Sequence, residues 1–155
     1  MENKYNENLG QVFTSVNIAK LMIKLLRENL ETGVILDPGV GQNIFFQHLL
    51  DEAYTKVGVD VDGGLLSEIN NLARSNYLLM NFFDLNKTNK FDGIIMNPPY
   101  IRQEELIDSK YNNKKKIIAT LKEYSEYLDK RHNLYVYFFL KAHQLLSNGG
   151  VLIAI

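Results

Sequence analysis

Phe91-Asp92-Gly93-Ile94-Ile95-Met96-Asn97-Pro98-Pro99-Tyr100 is the stretch on which the fold and the chemistry turn. Its first six residues are a short apolar run, the pattern of a strand buried on both faces of a parallel sheet. The tetrad Asn97-Pro98-Pro99-Tyr100 then falls at that strand's carboxyl end, where open α/β sheets place their ligands. Asn97 offers a side-chain carbonyl acceptor. Pro98 has no N–H, and the proline after it biases it to extended backbone, so its C=O can point outward. Two carbonyls held side by side suit an –NH2 group, which has two protons to donate. Accepting both draws the nitrogen towards a tetrahedral, nucleophilic state. Tyr100 adds a flat face on which an aromatic base can stack. The same four residues also fit a plain turn after a strand.

The rest of the chain sets bounds on this reading. A length of 155 residues suits one domain with a real core, and 46% hydrophobic residues is ordinary for a globular protein. The chain has no cysteine, which excludes disulfides and thiolate metal sites and fits a reducing compartment such as the cytoplasm. No apolar run approaches a membrane span, and the start lacks a signal-peptide pattern. A net charge of −1 is unusual for a protein that meets DNA phosphates.

Upstream, Gly33 opens Val34-Ile35-Leu36, a strand that runs into Asp37-Pro38-Gly39-Val40-Gly41-Gln42-Asn43, with a helix expected over 43–54. Strand, glycine loop and helix make a nucleotide-binding turn. Glycines let backbone come close to a ligand, and the helix start offers unpaired N–H groups. A second strand ends in Val59-Asp60-Val61-Asp62. An acid there commonly accepts from ribose hydroxyls, which suits Asp60, whereas Asp62 suits the cap of a helix over 63–75. That helix would bury Leu65, Leu66, Ile69, Leu72 and Ala73. Tyr77-Leu78-Leu79-Met80 reads as a third strand, followed by Asn81-Phe82-Phe83-Asp84. Phe82 and Phe83 fit a plain core as well as a ligand contact.

Nearer the start, Thr14 or Ser15 is a natural cap for a helix over 15–30, with Ile18, Met22, Leu25, Leu26 and Leu30 on one face. Beyond the tetrad, residues 101–131 interleave Lys110, Lys114, Lys115, Lys116, Lys122, Lys130 and Arg131 with Tyr111, Tyr124 and Tyr127, diluted by acids. This fits a solvated loop and helix, or a loop that closes over an extruded base. An apolar helix starts at Asn133 and is expected to end in the glycine stop Ser147-Asn148-Gly149-Gly150, before a fifth strand over 151–155. His132 and His143 have no metal-ligand spacing around them.

The ordered set of segments resembles S-adenosylmethionine-dependent amino-methyltransferases, above all the DNA adenine-N6 methyltransferases of gamma motif order. Gly10-Gln11-Val12-Phe13-Thr14-Ser15 is similar to their Gly-x-x-Tyr/Phe-Thr-Pro motif, with Ser15 in place of proline. The loop from Asp37 resembles their Asp-Pro-x-x-Gly-x-Gly, with Asn43 where a further glycine belongs. Asn43 is therefore expected to crowd the cofactor or the helix. Asn133-Leu134-Tyr135 and Gly149-Gly150 match a later segment, and Asn97-Pro98-Pro99-Tyr100 matches the catalytic motif.

The resemblance implies a Rossmann-like class I methyltransferase fold, an α/β three-layer sandwich with a mostly parallel sheet, here truncated after the fifth strand. Residues 1–14 would carry the cofactor-facing Thr motif, and 15–155 would be a partial catalytic domain without a target-recognition domain. S-adenosylmethionine would be the cofactor, with no metal. Thr14, Asp37, Gly39, Gly41, Asp60, Asn81 and Phe82 would bind it. Asn97 and Pro98 would hold the amino group of an adenine flipped out of DNA, and Tyr100 would stack on it. DNA would be met through a recognition domain or partner subunit, within a restriction–modification system. No membrane partner is expected, and the segment alone is expected to self-associate through its open sheet edge. The same tetrad serves methyltransferases of RNA bases and of protein glutamine. A catalytically incomplete fragment or a partner-dependent subunit is the other alternative.

Overall fold

A computed structural model describes residues 12–69, 74–102, 113–128 and 132–155. Gly10, Gln11, Leu72, Ala73, Lys110, Tyr111, Lys130 and Arg131, named above, lie outside the described residues.

Among the described residues five strands form one parallel sheet in the order β3-β2-β1-β4-β5. They are β1 (Gly33–Pro38), β2 (Tyr54–Asp60), β3 (Ser75–Leu79), β4 (Phe91–Met96) and β5 (Leu146–Ala154). The chain winds outward from β1 to β3, then crosses back to lay β4 on the other side of β1. The switch point between β1 and β4 opens a crevice at the carboxyl ends of those strands. Side chains on successive residues of a strand point to opposite faces. Accordingly Ile35 and Ile95 join one core cluster, while their neighbours Leu36, Ile94 and Met96 join the other.

Helices α1 (Val16–Asn29), α2 (Ile44–His48) and α3 (Gly63–Glu68) serve the first cluster. The second is covered by α4 (Lys114–Thr120) and α5 (Leu134–Leu145). The result is the expected three-layer α/β sandwich. On α1 the buried face is Ala19, Met22, Ile23 and Leu26, so Ile18 and Leu25, expected inside, are exposed. The helix carries apolar residues on two stripes, and periodicity alone does not say which one meets the sheet. Part of the choice is made at Gly93. A Cβ there would stand 2.7 Å from Ile35 Cδ1, 3.0 Å from Leu30 Cδ2 and 3.1 Å from Leu26 Cδ1. The glycine therefore lets the end of α1 settle directly on β4. Gly93→Ala is expected to overpack this layer and cost about 1–3 kcal/mol, read as a lower denaturation midpoint. An unchanged midpoint would show that the leucine tips simply move aside.

Other boundaries also differ from expectation. Helices α2 and α3 stop at His48 and Glu68, because Leu49 and Ile69 leave helical backbone. Strand β5 starts at Leu146, directly after α5, so Ser147-Gly150 is not a helix stop. Leu146 pairs with Phe91 and Val151 with Gly93, which leaves the intervening residues bulged out of the ladder. Gly149, at φ 77°, supplies the left-handed step in that bulge.

Candidate active site

The glycine loop is built by backbone geometry that the sequence allows. Gly39 and Gly41 both hold positive φ, and the N–H groups of Gly39 and Val40 donate to Val59 O of β2. Asp60 completes the fastening. Its Oδ2 accepts from Gly41 N–H at 2.8 Å and its Oδ1 from Asp62 N–H at 2.9 Å. Asp62 in turn caps α3, accepting from Gly64 and Leu65 N–H. Asn43 sits at the loop-to-helix junction at φ 64° and ψ 28°, a left-handed conformation that asparagine tolerates. Its side chain is buried, and Nδ2 donates to Tyr77 Oη at 2.9 Å. Asn43 thus holds the glycine position in left-handed backbone, with its Oδ1 buried and without a hydrogen-bond partner. It does not line the cleft that the loop borders.

That cleft lies over the carboxyl ends of β1, β2 and β4. Its walls bring together Gly39, Gly41, Asp60, Asn81, Phe82 and Asn97 from the sequence reading. They also include Val12, Phe13, Val59, Val61, Met80, Phe83, Pro99, Leu134 and Phe138. Leu134 and Phe138 lie one turn apart on a nearly uniformly apolar helix, so no period singled them out. Phe82 is at once a core residue and a cleft wall. Its ring centroid lies 4.9 Å from that of Phe138, and Phe138 meets Phe83 edge-on at 5.2 Å. Asn81 Oδ1 accepts from Phe83 N–H at 3.0 Å and so shapes the turn that presents Phe82.

An adjoining pocket shares Val12, Phe13, Gly39, Gly41 and Asn97 with the cleft and adds Thr14. Asn97 stands between the two. Its Nδ2 donates to Val12 O at 2.8 Å and to Thr14 Oγ1 at 3.0 Å, while Oδ1 is buried without a hydrogen-bond partner. Asp37, Pro98 and Tyr100 line neither space. Pro98 is buried and Tyr100 is 47% exposed. Tyr100 donates its hydroxyl to the main-chain oxygen of Ile155 at 2.9 Å, and its ring sits 6.4 Å from that of Tyr135.

Asp37 is 1% exposed, and neither carboxylate oxygen has a partner. Burial, reinforced by the nearby Asp60 charge, pushes its carboxyl well above the usual range. Burial raises Asp60 as well, partly offset by the N–H groups of Asp62 and Gly41. Among the described residues no lysine or arginine lines either space, so no cation there offsets the burial that raises both carboxyls. A carboxyl raised by folding binds its proton more tightly in the native state. Its effect on stability is nil below the ordinary carboxylate range, and it lowers stability as pH rises from there through the folded value. Asp37→Asn is therefore expected to gain stability relative to the parent between acid and neutral pH, in the absence of ligand. Thermal midpoints at several pH values check this, and a difference that does not grow with pH would count against it. The Asp60 charge, which helps raise Asp37, acts in the same direction, because Asp37→Asn also removes the repulsion between the two.

Among the described residues no group of three or more His, Asp or Glu is placed to hold a metal, and no helix is long and apolar enough to cross a membrane. His143 Nδ1 instead pairs with Tyr124 Oη at 2.7 Å.

The profile of the Eco57I restriction-modification methylase family matches residues 13–155. The Type II methyltransferase M.HincII of Haemophilus influenzae is 29% identical over 159 aligned residues, covering 100% of this chain and 29% of M.HincII. The chain thus spans under a third of that relative. A protein of Pyrococcus horikoshii assigned as an RNA methyltransferase superposes with a TM-score of 0.62 at 17% identity, over 92% of this chain and 62% of its own. An S-adenosylmethionine-dependent methyltransferase of Clostridium acetobutylicum superposes at 0.53 with 19% identity, over 88% and 48% of the two chains. These two likenesses establish the fold as that of class I methyltransferases.

Proposed function

Because the chain belongs to the Eco57I restriction-modification methylase family, we propose that it is catalytic machinery for moving a methyl group from S-adenosylmethionine to N6 of an adenine flipped out of DNA. The observation that carries this reading is the buried, unpartnered Oδ1 of Asn97 at the edge of the cleft. A buried acceptor without a donor costs free energy unless a ligand supplies one. The exocyclic amine of adenine is such a donor.

The cleft suits the cofactor's chemistry. S-adenosylmethionine is a nucleoside without phosphate that carries an ammonium and a sulfonium, and when bound it supplies the electrophilic methyl. Phosphate would call for cations, and among the described residues none lines the cleft. Asp37 lies buried at the foot of the loop without a partner, and a bound cation would draw off the proton that burial favours there. Gly39 and Gly41 let the ligand lie close to backbone. Asp60 has lone pairs left for ribose hydroxyls after its two backbone bonds. Asn81 and Phe82 would border the cofactor's adenine, whereas Thr14 lines only the adjoining pocket, where its hydroxyl oxygen accepts from Asn97.

On the substrate side, Asn97 Oδ1 and the Pro98 carbonyl accept the two amine protons. That withdraws the nitrogen lone pair from the ring and aims it at the methyl. The cofactor would supply the methyl, and the amine held by Asn97 and Pro98 would release its surplus proton to water. Tyr100, the half-exposed last residue of the tetrad, would stack on the extruded base. Alignment of the two reactants is the main source of rate, and the chain needs no covalent intermediate. The experiment is to supply the chain with labelled cofactor and adenine-containing DNA, then hydrolyse the DNA to nucleosides. N6-methyladenine is the expected product. Label appearing only in RNA or in protein glutamine would replace this reading with another.

A further inference from the structure

Asn97 accepts from a base only if its amide is turned the right way round, and the amide's two ends are nearly equal in size. The orientation is decided from outside β4. A main-chain carbonyl can only accept, so the Asn97 atom that lies 2.8 Å from Val12 O must be the –NH2. Reversing the amide would set two oxygens against each other. The second amide proton goes to Thr14 Oγ1 at 3.0 Å. With both protons spent, Oδ1 is left as the buried atom with no donor.

The geometry points to Thr14 as a positioning residue for methyl transfer. Its hydroxyl oxygen, together with the Val12 carbonyl, locks the Asn97 amide so that Oδ1 faces the incoming amine. This task rests on the reading of Asn97 as the base's acceptor. It differs from a contact to the cofactor, because Thr14 then acts through Asn97. Residues 12–14 belong to no helix or strand. They reach the tetrad across 83 residues of sequence, and Phe13 lines both spaces beside the glycine loop. The acceptor is therefore set only while this segment is seated over the cleft. Val12 contributes through its backbone, so sequence identity matters at Thr14 alone.

Thr14→Val, which swaps the hydroxyl for a methyl of similar size, and Thr14→Ser, which keeps it, test the assignment in the 155-residue chain. The first readout needs no turnover. Nitrogen-15 NMR follows solvent exchange of the Asn97 side-chain amide protons, assigned by their loss in Asn97→Asp. Exchange is expected to quicken by roughly 10-fold in Thr14→Val, the scale of one lost hydrogen bond, and to return to the parent rate in Thr14→Ser. In turnover, kcat of methyl transfer is expected to fall by about 10-fold or more in Thr14→Val. The cofactor's Kd should stay within about threefold, and Thr14→Ser should recover most of the loss. Unchanged exchange in Thr14→Val overturns the proposal. So does a cofactor affinity that falls as far as kcat, since Thr14 would then serve the cofactor directly. If Asn97→Ala itself keeps full turnover, the acceptor reading of Asn97 fails instead, whatever Thr14 does.

Discussion

Asn97→Ala is expected to lower methyl transfer by on the order of 10²–10³-fold while S-adenosylmethionine binding stays within a few-fold. The scale is that of removing a preorganised hydrogen-bonding group from a site where charge develops in the transition state. The amine nitrogen becomes positive as the new bond forms, so an oxygen held beside it gains most at that moment. Asn97 is well placed to be preorganised, since its Nδ2 is already bound to Val12 and Thr14. On the reading proposed above the cofactor is fastened elsewhere, on the glycine loop and Asp60, so binding should survive. Quenched-flow turnover beside calorimetric binding checks both halves. Near-normal turnover, or cofactor binding lost together with turnover, would mean that Asn97 is not the acceptor of the amine.

The second large effect is expected at Asp60. Asp60→Ala should weaken cofactor binding by on the order of 100-fold, because one side chain holds the loop and lines the cleft. Its oxygens accept from Gly41 and Asp62 N–H, and charge-assisted bonds of this kind contribute about 1.5–3 kcal/mol each where solvent is excluded. Removing it leaves Gly41 N–H without that acceptor and, on the proposed reading, takes away the ribose acceptor in the same step. Gly39 and Val40 remain tied to Val59, so the loop should loosen at Gly41 without detaching from the sheet. Asp60→Asn keeps one acceptor oxygen and should lose less. Titration at a temperature where the variant is folded is the measurement. An affinity equal to the parent's would mean that Asp60 only shapes the loop.

Much of this arrangement was legible in the chain. The apolar runs Val34-Ile35-Leu36 and Ile94-Ile95-Met96 announced buried parallel strands, and the punctuation after them placed the loop and the tetrad. Residues next to those strands, such as Gly41, Asp60 and Asn97, could be named because strand ends fix where they stand. What escaped depends on contacts between distant segments. The face that α1 buries is chosen partly at Gly93, a residue of another element. The bond from Asn43 to Tyr77 on β3 joins residues 34 apart, and nothing local announces it. Leu134 and Phe138 wall the cleft from a helix whose apolar residues run nearly all round it. The bond from Asn97 to Thr14 has no local signature, since neither neighbourhood shows that the other will be near.

The proline after Asn97 has a further consequence, for how the molecule ages. An asparagine deamidates when the backbone nitrogen of the next residue attacks its side-chain carbonyl and closes a succinimide ring. That route needs the N–H of the following residue, and Pro98 has none. Asn148, exposed and followed by Gly149 in the bulge of β5, has the attacking N–H and a neighbour without a side chain to hinder it. Stored protein should therefore accumulate aspartate at position 148 long before position 97. The difference matters, because an aspartate at 97 would turn an oxygen towards the Val12 carbonyl and unseat the segment that holds it. The residue with most to lose from this chemical lesion sits where the backbone forbids it.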